Sequence, residues 1–414
     1  MTTRLYYQDA FLYDFDAEVK QTIASPRPAL ILDRTAFYPT SGGQVFDTGW
    51  IIPAEQSESK LRVTEVADVD DGQVIHYLEA LPKDLPPGAR IHGQIDAARR
   101  RDHMQQHSGQ HVLSAAFIRL YNLHTVSFHM ADDYCSIDLD TPTLTKDQVE
   151  SAERRANEII LENRRVEVRF VNREAAEKLG LRKLPPAERD ELRLIDIQDF
   201  DLTACGGTHV RQTGQIGCIL LRKTEKIRQG WRVEFVAGQR AVATARRDFS
   251  ALTEAAGLFS AHIYDVPQQV RKSLDEIRSL RRQREQSQEE LAAAQATALL
   301  AETQEIDGRK LVVRFFPDCD VNFVKLLAQK ITRQASKAIA LLAAGQPQAS
   351  ALFAQTPGSP YDMGALLKTT LAKFGGRGGG SKDMAQGGLP NSAVIEEVLQ
   401  EASQIVAKSA PVVR

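Results

Sequence analysis

A chain of 414 residues, 43% hydrophobic and 26% charged, is long for one hydrophobic core, so two or three domains are expected. Its best apolar run, residues 338–344, is far too short for a helical membrane span, and no membrane partner is expected. The formal net charge of −2 excludes a surface coated in positive charge, so a nucleic-acid partner must be held by local patches; segment 222–247 is one, and reads equally well as a solvated basic face.

The opening MTTRLYYQDAFLYDF mixes acids with aromatics and lacks the apolar centre of a secretory signal, so a cytoplasmic location is expected. The four cysteines, Cys135, Cys205, Cys218 and Cys319, show no CxxC spacing, which points to free thiols or metal ligands and away from bridges.

Residues 1–97 read as β-rich. LILDRTAFYPTSGGQVFDTGWII sets a Gly-rich turn between short apolar runs, LRVTEVADV and GQVIHYLEAL form a hairpin through DDG, PKDLPPGAR is a loop and IHGQID a further strand. Strands at this spacing suggest a small barrel. Residues 99–121 switch to a helical period, with Leu113, Ala116, Phe117 and Leu120 on one amphipathic face. A second helix over 146–163, the strand VEVRFV, the polar stretch 182–193 and a hairpin over IGCILLRKTEKIRQGWRVEFVAG complete an α/β unit over 98–250.

From 268 to 302 there is no Gly or Pro. Leu274, Ile277, Leu291 and Ala298 fit a heptad seam, but Arg281, Arg284 and Gln288 fill its middle, so 251–306 reads as a spacer helix or helical hairpin. Residues 307–414 form a compact α/β unit: strand KLVVRFF, helix FVKLLAQKITRQ, strand KAIALLAA and a last helix over 393–407. Seven of the 26 glycines fall between Gly375 and Gly388, which reads as a purposeful loop. The class is α+β: a small N-terminal β-barrel, an α/β domain, a helical spacer and a C-terminal α/β domain.

His107 and His111 stand four apart on the predicted helix, so both imidazoles leave one face. That spacing suits two ligands of a tetrahedral zinc ion, and fits a solvated pair equally well. His103 continues the row by one turn. Cys205-Gly-Gly-Thr-His209 sets a thiolate and an imidazole four apart across two glycines, whose backbone freedom lets both converge. Two mixed pairs together favour one zinc ion, with the region Arg100 to Asp102 and Asp201 as candidates to meet the ring N–H groups, each equally able to serve as an exposed cap.

These residues resemble a known family. HSGQHVLSAAF with CGGTHV is similar to the editing domain of alanyl-tRNA synthetases and freestanding alanyl-tRNA editing proteins, AFYPTSGGQVFDTG to that family's Gly-rich strand turn, WRVEFVAG to its closing strand, and FGGRGGGSKDMAQGG to the C-terminal domain shared with DHH phosphoesterase-like proteins. The likeness spans nearly the whole chain. It implies zinc ligands at His107, His111, Cys205 and His209, a zinc-containing editing domain with its pocket beside the barrel, a tRNA-contacting tail, and no counterpart of the family's aminoacylation module. The implied activity is that of a long-form trans-editing deacylase of mischarged tRNA-Ala: Ser-tRNA(Ala), with Gly-tRNA(Ala) as a second substrate. The family usually has Thr where this chain has Ser108, keeping the hydroxyl and losing the methyl, and Gly where it has Ser41.

Ester hydrolysis in such a pocket calls for polar groups that read a serine hydroxyl, and Ser108, Gln110 and Gln44 have suitable atoms, each equally able to serve structurally. His103 or the ribose hydroxyl is a candidate participant if water is not activated by the metal; four protein ligands close a tetrahedron, the mark of structural zinc. Arg377 and Lys382 in the Gly-rich run are candidate RNA contacts. Two other readings fit the residues: a zinc hydrolase of another ester, without the HExxH pattern of metalloproteases, and a non-catalytic tRNA-binding module with structural zinc. A homodimer through the spacer helix or the C-terminal domain is a further expectation.

Overall fold

The computed structural model describes residues 1–55, 59–69, 72–81, 85–179, 181 and 191–408. The parts of the expected hairpin turn, loop and polar stretch at 70–71, 82–84 and 182–190 lie outside these. The chain forms two compact units, Met1–Glu254 and Ala255–Arg414.

The first unit opens with a closed barrel of six strands: β1 (Asp14–Ile23), β2 (Ala29–Leu32), β3 (Gly49–Pro53), β4 (Leu61–Asp68), β5 (Val74–Leu78) and β6 (Arg90–Ile95), in the order β1-β2-β5-β4-β3-β6. Closure leaves no strand edge unpaired. In β1, Phe15, Ala17 and Val19 alternate inward, and with Leu30, Leu32, Ile51, Val63, Val66 and Ile91 they fill the barrel.

Asp96 then caps helix α1 (Ala97–Tyr121), its carboxylate accepting from the backbone N–H of Ala98 and Arg99; Asn122 ends the helix in the left-handed conformation at φ 55°. After α1 come β7 (Thr125–Met130), β8 (Cys135–Leu139), α2 (Lys146–Leu161), β9 (Val166–Asn172), α3 (Arg173–Lys178), β10 (Glu191–Ile197), β11 (Asp201–Ala204), β12 (Ile219–Ile227) and β13 (Gly230–Ala237). They form a four-stranded sheet, β12-β13-β8-β7, and a three-stranded sheet, β9-β10-β11. Thr145 and Gln148 make a reciprocal capping box at the start of α2.

The expected amphipathic face of α1 needs correction. Leu113, Ala116 and Phe117 are buried but Leu120 is exposed, and between His103 and Phe117 most of the helix is buried whichever way its side chains point. Helix α1 packs on α2 and on β13, and it also faces the Gly-rich turn and the barrel. Its polar residues therefore lie inside the protein, where each needs a partner.

Helix α4 (Gly238–Leu258) carries the chain into the second unit, followed by α5 (Val266–Glu302), β14 (Glu305–Ile306), β15 (Arg309–Asp320), α6 (Val321–Gln334), β16 (Ala338–Gln346), β17 (Ser350–Gln355), α7 (Met363–Lys373), β18 (Arg377–Gly380), β19 (Met384–Gly388) and α8 (Ile395–Lys408). The six strands run β14-β15-β16-β17-β19-β18, with β15 and β16 parallel. Strand β16 is covered on both faces: Ala340 and Leu342 meet α5 and α6, while Ile339 and Leu341 meet α7 and α8. That is why KAIALLAA reads as a continuous apolar run.

The heptad fit does not mark the buried face of α5, and the loop expected at the glycine run is a hairpin. Leu274, Ile277 and Leu291 are exposed, and the buried stripe of α5 is Ala292, Ala296 and Leu300, chosen by contact with α6 and not by a heptad. The Gly-rich run is a β-hairpin, β18 with β19, at the edge of the sheet. A Cβ on Gly378 would stand 2.5 Å from the Cα of Gly387, and one on Gly387 would stand 2.3 Å from Leu371 Cδ1. These glycines permit close packing rather than looseness.

Candidate metal centre

Four side chains from two segments converge. His107 and His111 project from consecutive turns of α1, while Cys205 and His209 bracket the turn after β11. Their ligand atoms all lie within 4.8 Å of one another. Nε2 of His107 and Nε2 of His209 are each 3.4 Å from Cys205 Sγ.

Each imidazole has a separate group at its other nitrogen. His107 Nδ1 lies 2.7 Å from Gln44 Oε1, His209 Nδ1 lies 3.2 Å from Ser108 Oγ, and His111 Nδ1 lies 3.6 Å from Asp201 Oδ2. The partners of His107 and His209 fix ring orientation and leave Nε2 as the free lone pair, whereas the Asp201 carboxylate lies beyond hydrogen-bond distance of His111 and acts on it through charge.

The Gly-rich turn supplies Gln44, whose amide is held at both ends. Its Oε1 also accepts from the backbone N–H of Thr208, and its Nε2 donates to Thr208 Oγ1. Gly43, at φ 82°, lets this turn lie on β7, where a Cβ would stand 2.4 Å from the Phe128 carbonyl oxygen. The Phe128 ring in turn packs 5.4 Å from that of His107. Gly207 passes so near His107 that a Cβ there would stand 2.1 Å from its Cε1.

The turn between Cys205 and His209 is held by Arg193, a buried arginine between Leu192 and Leu194 of β10. Nη1 donates to the carbonyls of Cys205 and Gly207 at 2.6 and 3.0 Å, and Nε donates to that of Tyr7 at 3.0 Å. Sequence reasoning missed Arg193 and Thr208. The signal for the first is a cation flanked by two leucines in a strand.

Burial opposes ionisation of Cys205, but the charges of His107, His209 and His111 outweigh it and hold the thiol well below its usual value. Burial alone would lower His111; the Cys205 thiolate and Asp201 overcome it, raising the group to about 9. His209 is drawn down by burial to about 3. Three imidazoles and a thiolate, largely withdrawn from solvent and sharing one point, form a set that a soft-to-borderline cation would neutralise.

The other expected residues lie around this cluster. Ser108 Oγ accepts from the backbone N–H of Val210 besides meeting His209. Gln110 Nε2 donates to Ser114 Oγ, which meets Thr125 Oγ1. His103 is buried one turn before His107, its Nδ1 has no partner among the described residues, and burial with Arg99, Arg240 and Arg100 lowers it to about 3. Of the expected ring partners, only Asp201 reaches an imidazole. Arg100 is spent on Asp47 of the Gly-rich turn and on the carbonyls of Ala10 and Ala36, and Asp102 on Arg240. Both pairs anchor α1 instead. In the second unit, Arg377 and Lys382 are exposed on the glycine hairpin.

Three family descriptions match the chain: tRNA synthetases class II (A) over residues 2–99, the threonyl and alanyl tRNA synthetase second additional domain over 192–233, and the DHHA1 domain over 308–408. An alanyl-tRNA editing protein, AlaX-L, of Pyrococcus horikoshii is 30% identical over 97% of this chain and 98% of its own length. Alanine–tRNA ligases of Thermococcus kodakarensis and Archaeoglobus fulgidus are each 31% identical, over 98% and 96% of this chain. The chain spans only 44% and 43% of those two ligases.

Proposed function

We propose, from the premise that this chain belongs to the alanyl-tRNA editing proteins, that it is a trans-editing deacylase which hydrolyses Ser-tRNA(Ala), and Gly-tRNA(Ala) as a second substrate, at a zinc site formed by His107, His111, Cys205 and His209. The observation that carries this reading is the cluster of three imidazoles and one thiolate, in which His107 and His209 are each held at Nδ1. That donor set suits zinc.

Zinc held there by His107, His111, Cys205 and His209 would supply Lewis acidity. The remaining work falls to the chain. Water adds to the ester carbonyl, the carbonyl–ribose C–O bond breaks, and the ribose oxygen leaves with a proton, giving free amino acid and tRNA. Gln44 and Ser108 keep the imidazoles of His107 and His209 in place through Nδ1. Gln110, in a hydroxyl-rich chain with Ser114 and Thr125, reads the serine hydroxyl; around alanine such groups are left unpaired, which is the source of selectivity. His103 is the candidate proton carrier beside the cluster: its Nδ1 has no partner among the described residues, and burial with three arginines holds the ring in its neutral form. Arg377 and Lys382 meet tRNA phosphates.

The test is paired deacylation. Purified protein is incubated with Ser-tRNA(Ala), Gly-tRNA(Ala) and Ala-tRNA(Ala), and loss of labelled amino acid is followed. Serine is released fastest and alanine is spared. Equal loss of serine and alanine defeats the selectivity, and tRNA binding with no turnover supports a non-catalytic module in its place.

A further inference from the structure

Of the four ligand residues, the three histidines are buried and Cys205 is half-buried, so Cys205 is the ligand residue through which the cluster meets its surroundings. A cleft of about 480 Å3 reaches Cys205 and Gly206 there, and its walls include Arg4, Tyr7, Phe170 and Arg193. This volume lies in the range of small-ligand sites.

Tyr7 stands directly at the metal turn: a Cβ on Gly206 would lie 3.5 Å from its Oη and 3.8 Å from its Cε1. Its ring is braced by Tyr6 edge-on at 5.0 Å and by the Arg4 and Arg193 guanidiniums at 5.7 and 5.5 Å from its centroid. Phe170, 44% exposed on β9, is paired in register with Arg193 of β10. Arg4 is committed to the two oxygens of Asp68 at 2.7 and 2.6 Å, and Arg193 gives Nη1 to backbone carbonyls while its Nη2 has no partner among the described residues. Glu191 adds a carboxylate to the lining. The lining sets two aromatic side chains beside a carboxylate, which suits a flat aromatic ligand next to the metal centre.

Resting on the function proposed above, we infer that Tyr7 and Phe170 line the subsite for the terminal adenosine of the aminoacylated tRNA, Tyr7 stacking on the base while the ester on the ribose reaches the Cys205 side of the cluster. Base–aromatic stacking tolerates a half-open cleft of this kind.

The experiment measures steady-state deacylation of Ser-tRNA(Ala) by the whole protein and by Tyr7→Ala, Tyr7→Phe and Phe170→Ala, with zinc content and adenosine binding by equilibrium dialysis alongside. Tyr7→Ala raises KM about tenfold with a smaller change in kcat, and Tyr7→Phe restores most of the affinity by keeping the ring. Adenosine binds the wild-type protein and binds Tyr7→Ala more weakly. If Tyr7→Ala misfolds or loses zinc, the rise in KM of Phe170→Ala decides the matter. An active wild type whose KM and adenosine binding are unmoved by these changes overturns the subsite alone; a wild type that releases no amino acid overturns the deacylase reading, and the subsite with it.

Discussion

The His107 imidazole meets the Gln44 side-chain oxygen at 2.7 Å, joining helix α1 to a turn 63 residues earlier in the chain. With Nε2 turned to Cys205, Nδ1 must carry the proton and donate it, so Gln44 fixes both the tautomer and the ring plane. Gln44→Leu removes that acceptor and also leaves the Thr208 N–H without its partner. The expected result is a loss of zinc affinity of about 10–100-fold, read by competition with a chromophoric chelator. Unchanged affinity would show that the ring is held by packing alone.

Gly207 is a sharper probe. Its missing Cβ would overlap the His107 ring, 2.4 Å from Nδ1, whereas a Cβ on Gly206 meets nothing nearer than 3.5 Å. Gly207→Ala therefore expels His107 from the cluster and lowers zinc content and deacylation together, as does Cys205→Ala. Gly206→Ala retains its zinc. Metal analysis of the three purified variants checks the ordering, and a fully loaded Gly207→Ala protein would count against the assignment of His107.

Arg193 gathers three backbone carbonyls with one guanidinium. Arg193→Met strands those carbonyls in the interior, and unpaired buried groups cost about 1–3 kcal/mol each. A fall of roughly 3 kcal/mol in unfolding free energy is expected from urea titration, with weaker zinc binding. Arg193→Lys recovers little of either, because a single ammonium lacks the fork that reaches Cys205, Gly207 and Tyr7 at once.

Much of this centre was legible because its signals are local. The i, i+4 spacing of His107 and His111 and the glycines between Cys205 and His209 each survive in a short window of sequence. What was not legible depends on distant partners. Periodicity alone does not separate a polar face turned to water from one turned inward, so the sequence does not show that Ser114 joins Gln110 inside the protein while Leu120 is left in solvent. Leu291 reads as a seam residue because the repeat is visible in α5, while α6, which selects Ala292 and Ala296, is not. Glycine composition likewise cannot tell looseness from the close contact of Gly378 with Gly387.

Acid acts on the barrel through His76. Its ring is fully buried, between Thr35 Oγ1 at 2.8 Å and the Leu30 carbonyl at 3.2 Å, and burial lowers its pKa from 6.5 to about 4. A folded value below the unfolded one means that the unfolded chain takes up the proton first. The stability gained by keeping His76 neutral is complete above about pH 6.5 and is lost as the pH falls toward 4. At about 1.4 kcal/mol per unit, the loss is about 3 kcal/mol. His76→Gln should flatten the slope of unfolding free energy against pH across that window, measured by urea titration at several pH values. A slope equal to that of the wild type would place the acid sensitivity elsewhere.

Arg377 and Lys382 test the RNA role of the glycine hairpin. Both are exposed, and the hairpin that carries them is stiffened by glycine-to-glycine packing and by α7, so their charges are presented from a fixed edge of the sheet. Phosphate contacts release counterions, and the salt dependence of binding counts them. Arg377→Glu with Lys382→Glu should weaken binding of uncharged tRNA-Ala and make the plot of log affinity against log salt shallower by about two contacts, without altering zinc content. Filter binding between low and moderate salt gives both quantities. A variant with wild-type affinity and an unchanged slope would leave the hairpin as structure only, whereas weaker binding at an unchanged slope would mean that the two side chains act by shape and not by charge.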